Sequence, residues 1–159
     1  MLGLKYVGGA ILITGCLFYC LQTVREARQV ERRLKAWIAL LTYVRGQIAC
    51  FGRPLSDILL TAEPGVLQAL DIEPESGKAL GEYCRTDAER LRSAGGETLK
   101  DLSEELGTVW REEQVERLDY YLAALQEAHG AYVAKLSDRL KVQCTMALCL
   151  AGGILLLVW

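Results

Sequence analysis

The chain has 159 residues, 52% of them apolar and 24% charged, with a formal net charge of −2. That length allows one ordinary domain, or a smaller one with anchoring segments. The slight acidic balance disfavours nucleic acid as a partner.

Residues 6–24 hold no charge and a single amide, Gln22, and residues 142–159 hold no charge at all. All the acidic residues, and every Lys and Arg except Lys5, lie between these stretches. A bilayer core about 30 Å thick is crossed by roughly twenty helical residues rising about 1.5 Å each. The pattern therefore predicts an all-α membrane hairpin, a helical bundle mounted on two terminal transmembrane helices. The spans fall at residues 4–24 and 142–159, and the bundle at residues 25–141. A cleaved signal peptide fits the first stretch poorly, because it lacks a small-x-small cleavage site. Ile13-Thr14-Gly15-Cys16 has the form that precedes a lipidated cysteine, but cleavage there would leave an apolar start in place of a polar tether. A buried core helix is a poor reading of the last stretch, since the middle of the chain is small for wrapping it. Arg25, Arg28, Arg32, Arg33 and Lys35 follow the first stretch, and Lys135, Arg139 and Lys141 precede the second. By the positive-inside rule this places the bundle in the cytoplasm of a two-span protein of the cell membrane, with Trp159 as an interfacial anchor.

In the first amphipathic helix Leu34, Trp37, Ile38, Leu41, Val44 and Ile48 recur at steps of three and four, to about Ala49. Phe51-Gly52-Arg53-Pro54 ends it, since glycine suits a helix terminus and proline the next start. A short helix follows at 55–62, a break at Glu63-Pro64-Gly65, a turn or two at 66–70, and a connector at 71–74. Residues 76–92 predict a helix with Leu80, Tyr83, Cys84, Ala88 and Leu91 on one face, ended by Ser93-Ala94-Gly95-Gly96. The next helix begins at Glu97 or Thr98 with Leu99, Leu102 and Leu106 inward, and Gly107 closes it. From about Glu112 a long helix carries Val115, Leu118, Leu122, Leu125, His129, Tyr132 and Leu136 at alternating steps of three and four, a heptad seam with one polar member. The first and last long helices should pack antiparallel, and the shorter ones close the bundle.

The six cysteines do not read as a disulfide framework. Cys16, Cys20, Cys144 and Cys149 lie in the terminal stretches, and Cys50 and Cys84 in a domain expected to face a reducing compartment. Cys16 and Cys20 are spaced like a metal pair on a helix, yet zinc needs two more ligands and His129 is remote in sequence. Small apolar filler is the simpler reading, and no metal or cofactor is expected. His129 sits on the seam without a nearby nucleophile, and Gly95-Gly96 lacks the Gly-Lys-Ser/Thr of a phosphate loop. No catalytic residue is assigned, so an enzyme is not expected. Residues 57–127 hold seventeen acidic and seven basic residues. This acidity suits solubility, and equally a surface that steers a basic partner. The candidate surface is Glu97, Asp101, Glu104, Glu105, Glu112, Glu113 and Glu116.

Layout and several phrases resemble the stage III sporulation protein AB family. The matches are Phe51-Gly52-Arg53-Pro54-Leu55, Glu105-Leu106-Gly107 opening the last long helix, Lys135 within it, and Ala151-Gly152-Gly153-Ile154-Leu155-Leu156 near the end. The resemblance implies a helical domain similar to the cytoplasmic domain of the type II secretion inner-membrane platform protein. It also implies a non-enzymatic platform subunit of a channel complex between mother cell and forespore, in the mother-cell membrane. The partners implied are a cytoplasmic secretion-type ATPase and other membrane proteins of the complex; the expected spans add membrane lipid, and their small residues Gly8, Gly9, Gly15, Gly152 and Gly153 could permit a second copy of the chain to pack closely. A generic two-span scaffold or adaptor without an ATPase is the alternative, and an enzyme of lipid metabolism stands third.

Overall fold

A computed structural model of the protein describes residues 2–74, 78–92, 94–106 and 111–158. Six helices follow in order: α1 (Leu2–Phe51), α2 (Leu55–Thr61), α3 (Pro64–Ala69), α4 (Leu80–Leu91), α5 (Gly96–Glu105) and α6 (Arg111–Val158). The described residues hold no strand, as the periodicity predicts.

Among the described residues no helix is long and apolar enough to cross a membrane. This overturns the predicted membrane hairpin and the two-span location in the cell membrane. The prediction rested on the length of each uncharged run against the bilayer thickness. Residues 6–24 also hold Tyr6, Gly8, Gly9, Thr14, Gly15, Tyr19, Gln22 and Thr23, and residues 142–159 hold Gln143, Thr145, Gly152 and Gly153. Such small and polar residues add little to transfer into hydrocarbon and dilute both stretches.

The chain divides into two compact units, Met1–Gln29 with Val133–Trp159, and Val30–Tyr132. In the first, the arms of α1 and α6 meet along a narrow seam of small and medium side chains. Cys16, Cys20, Thr23 and Val24 are half-buried on α1, with Ala27 buried, and Leu136, Leu140, Cys144 and Ala147 are half-buried on α6. The spacings of three and four give each helix one inward edge. The Cys16 thiol donates to the Ala147 carbonyl oxygen at 3.6 Å, and the Cys20 and Cys144 thiols are neighbours across the seam. The neighbouring Cys144 thiol, with desolvation second, raises the Cys20 thiol above its ordinary pKa. Leu17, Phe18, Leu21, Met146 and Leu148 point away from the seam and are exposed.

The second unit contains the main core. Leu34, Trp37, Leu41 and Val44 of α1 are fully buried, with Ile58, Cys84, Leu99, Leu118 and Leu125 from the other helices. Fully burying a side chain of the Leu or Ile class is worth about 1.5–3 kcal/mol, so this stripe dominates the stability of the unit. The heptad positions Leu118, Leu122 and Leu125 are buried and Val115 and His129 half-buried, as the spacing implies. Arg45 Nε and Asp119 Oδ1, 2.7 Å apart, tie α1 to α6 here in antiparallel sense.

The breaks follow backbone chemistry. Gly52 takes φ 60° just past α1, and its N–H donates to the Ile48 carbonyl at 3.1 Å, the left-handed helix end that glycine reaches without strain. Pro64 opens α3, where its missing N–H costs nothing. After α3, the Ile72 N–H reaches Leu67 O at 2.9 Å and the Asp71 N–H reaches Gln68 O at 3.2 Å, a Schellman end. The left-handed residue in it is Asp71, with φ 55°, in a place more often held by glycine. Helix α4 starts at Leu80, later than the predicted 76; Ser76 lies outside the described residues, as do Gly107 and Trp110.

Helices α4 and α5 form a tight hairpin. A Cβ on Gly81 would stand 3.0 Å from the Ser103 carbonyl oxygen, and one on Gly96 would stand 2.4 Å from that of Ala88. Glycine at both ends of the crossing lets the two backbones approach. Gly95, at φ 92°, turns the chain, and a Cβ there would meet Leu125 and Leu34, so the turn is wedged beside α1 and α6.

Candidate functional site

The seven predicted acidic residues lie on two neighbouring elements, α5 and the start of α6. Glu97, Asp101, Glu104, Glu112, Glu113 and Glu116 are exposed, and Glu105 is half-buried. Leu99 and Leu102 turn inward on α5, so helical periodicity sends the intervening carboxylates outward. The set is not electrically uniform. Arg117 Nη1 lies 2.8 Å from Glu105 Oε2, and its Nη2 lies 2.7 Å from Glu113 Oε1. These hydrogen bonds hold the Glu105 carboxyl below the usual carboxylate range, Arg117 first and Tyr121 second. Tyr121 is in turn pushed up to about 12, by burial and then by Glu105. Arg117 thus fastens the end of α5 to the first turns of α6. Among the described residues the ion pairs engage two of the seven and do not use Glu97, Asp101, Glu104, Glu112 or Glu116.

A second constellation escaped the sequence reading. Asp87 is buried, with 2% of its surface exposed. Its Oδ2 accepts from Trp37 Nε1 at 2.8 Å and from Arg33 Nε at 3.2 Å. Arg33 Nη2 also donates to Leu70 O at 3.2 Å and to Asp71 Oδ2 at 2.7 Å. Arg90 Nη1 approaches Asp71 at 3.3 Å and Asp87 at 3.5 Å. The Asp71 carboxyl is lowered by its hydrogen bond to Arg33 and the charge beside it. Two acids and two arginines, with one indole, therefore join α1, the end of α3 and α4. A signal was present: Asp87 stands three residues after Cys84 on the apolar face of α4, and Arg33 stands four before Trp37. A lone acid on one apolar stripe and a lone base at the edge of another suggest a buried pair. The sequence reading had placed Arg33 among flanking charges instead.

A hollow of about 920 Å³ lies beside the α4–α5 turn. Gly95 and Gly96 line it with Arg85, Arg92, Lys100 and Glu97, so one of the predicted acidic residues stands on its rim among cations. Arg92 has φ 42° there, a left-handed conformation uncommon for a residue with a side chain. His129 is half-buried on α6, its Nε2 enclosed without a hydrogen-bond partner. Among the described residues no group of three or more His, Cys, Asp or Glu could hold a metal ion. Cys84 is fully buried, and desolvation, then Asp87, pushes its thiol up to about 12, so it is an inert thiol.

Comparison with family models finds no match, and comparisons with curated proteins and with solved structures find none either. The resemblance to the sporulation family therefore rests on the phrases quoted above. Of these, Phe51–Leu55 forms the α1–α2 turn and Glu105-Leu106 ends α5, while Lys135 is exposed on α6.

Proposed function

We propose that this chain is a non-enzymatic helical platform that docks a protein partner on the acidic surface formed by α5 and the start of α6. The observation that carries the reading is the set of five exposed carboxylates, Glu97, Asp101, Glu104, Glu112 and Glu116, projecting from a well-packed helical scaffold. Held on rigid elements, such charges present a fixed field to a basic surface, which raises the rate of encounter and fixes orientation. By the sporulation resemblance the partner is a secretion-type ATPase, and the platform couples its motion to the other subunits of a channel complex between mother cell and forespore.

The test is a pull-down and titration of that ATPase from the same cell against the chain and a variant carrying E97Q, D101N, E104Q, E112Q and E116Q. The expected result is binding that weakens as salt rises and falls at least tenfold in the variant. Equal binding by both proteins would refute the acidic docking surface. Spore formation that proceeds normally after deletion of the gene would sink the sporulation role.

A further inference from the structure

The seam of the first unit carries two half-buried thiols, Cys20 on α1 and Cys144 on α6. The bond from Cys16 to Ala147 fixes the antiparallel register of the α1 and α6 arms. One turn forward on α1 leads from Cys16 to Cys20. One turn back on α6 leads from Ala147 to Cys144 or its neighbour. The register therefore sets the half-buried Cys20 and Cys144 against each other across the seam. Both residues are half-buried free thiols, within reach of a small reagent from the side of the seam. Helices packed about 9–10 Å apart, with Cα atoms about 2.3 Å from each axis, put facing Cα atoms about 4.4–5.4 Å apart, within the roughly 4.4–6.8 Å that a disulfide tolerates.

We propose that Cys20 and Cys144 form an intramolecular disulfide that locks α1 to α6 when a small-molecule disulfide is present. One thiol of the pair loses its proton to solvent and attacks a sulfur of the small disulfide, expelling one equivalent of small thiol. The other thiol, deprotonated in turn, attacks the protein-bound sulfur of that mixed disulfide and expels the second equivalent. The protein dithiol is oxidised by two electrons and the small disulfide is reduced by the same two, giving two small thiols. The attacking species is the thiolate, so the reaction is expected to speed up in alkaline buffer.

The experiment uses the chain of residues 1–159 and oxidised glutathione, followed by alkylation and non-reducing peptide mapping. The expected product lacks two hydrogens and contains Cys20 joined to Cys144. It is expected to be lost in C20S and in C144S and retained in C16S, with far-ultraviolet circular dichroism verifying that each variant stays helical. Exposed Cys50 and Cys149 serve as controls that take up glutathione as mixed disulfides, and buried Cys84 stays reduced. Cys20 and Cys144 that remain alkylatable while Cys50 is modified would overturn the proposal, as would a bridge from Cys16 to Cys144.

Discussion

Replacing Asp87 by alanine tests whether the buried network supports the second unit or merely occupies it. The carboxylate accepts from the Trp37 indole at 2.8 Å and from Arg33 at 3.2 Å, with Arg90 at 3.5 Å. Truncation leaves a fully buried indole N–H without its acceptor, a loss of about 1.5–3 kcal/mol for a bond to a charged group. Arg33 loses one of two carboxylates but keeps Asp71 and the Leu70 carbonyl, so its share falls below the full cost of orphaning a buried charge, about 3–5 kcal/mol. A net loss of about 3 kcal/mol follows, a large part of the roughly 5–15 kcal/mol that holds a domain together. At this chain length that corresponds to a fall of roughly 6–12 °C in Tm. Urea denaturation followed by circular dichroism gives the number, and a double-mutant cycle with W37F isolates the indole contact, with a coupling of about 1–2 kcal/mol expected. A D87A variant within about 0.5 kcal/mol of the parent would refute the reasoning, as would D87L more stable than the parent. Either would mean that desolvation of the ions cancels what their bonds contribute.

The α4–α5 crossing makes a prediction with an internal control. Gly96→Ala drives a Cβ against the Ala88 carbonyl oxygen, 2.4 Å away, and should cost about 1–3 kcal/mol. Gly130→Ala, in an open stretch of α6, should instead stabilise by about 0.5–1 kcal/mol; the two melts should move in opposite directions. Acid titration probes the two lowered carboxylates, Asp71 and Glu105. A depressed folded pKa contributes stability above the unfolded value of about 4, and that stability is lost as pH falls through the folded pKa. The parent should therefore hold a plateau above about pH 5 and lose stability on the acid side. Asp71→Asn together with Glu105→Gln should flatten that limb, visible in denaturation midpoints across the acid range.

Helix positions in the second unit were legible because apolar spacing and breakers agree there. Leu34 through Ile48 marks the buried stripe of α1, and Pro54, Pro64 and Gly95 stand where elements end or begin. The heptad from Val115 was legible for the same reason. The Asp87 network was not, because its members are spread over α1, the end of α3 and α4, and only the fold brings them together. Asp71 illustrates a local limit: its left-handed conformation is supported by the Arg33 contact, which lies far away in sequence. The terminal stretches were read as spans from their length and lack of charge, and among the described residues no helix is long and apolar enough to cross a membrane. Six of the seven acidic residues are exposed and Glu105 is half-buried; periodicity could not reveal that Arg117 engages Glu105 and Glu113.

The long-range pairing of α1 with α6 also sets a timetable. Arg45 and Asp119 are separated by 74 residues, which take roughly 4–15 s to synthesise at about 5–20 residues per second. During that interval the stripe of Trp37, Leu41 and Val44 is already made while Leu118, Leu122 and Leu125 are not. The α4–α5 hairpin, closed by the short turn at Arg92–Gly95, loses far less chain entropy on closing and is complete before α6 exists. Nascent chains therefore carry a bare apolar α1 edge for seconds. Substitutions that slow synthesis of residues 107–125 are the ones expected to divert this protein to chaperones or aggregation, even where the finished fold is unchanged.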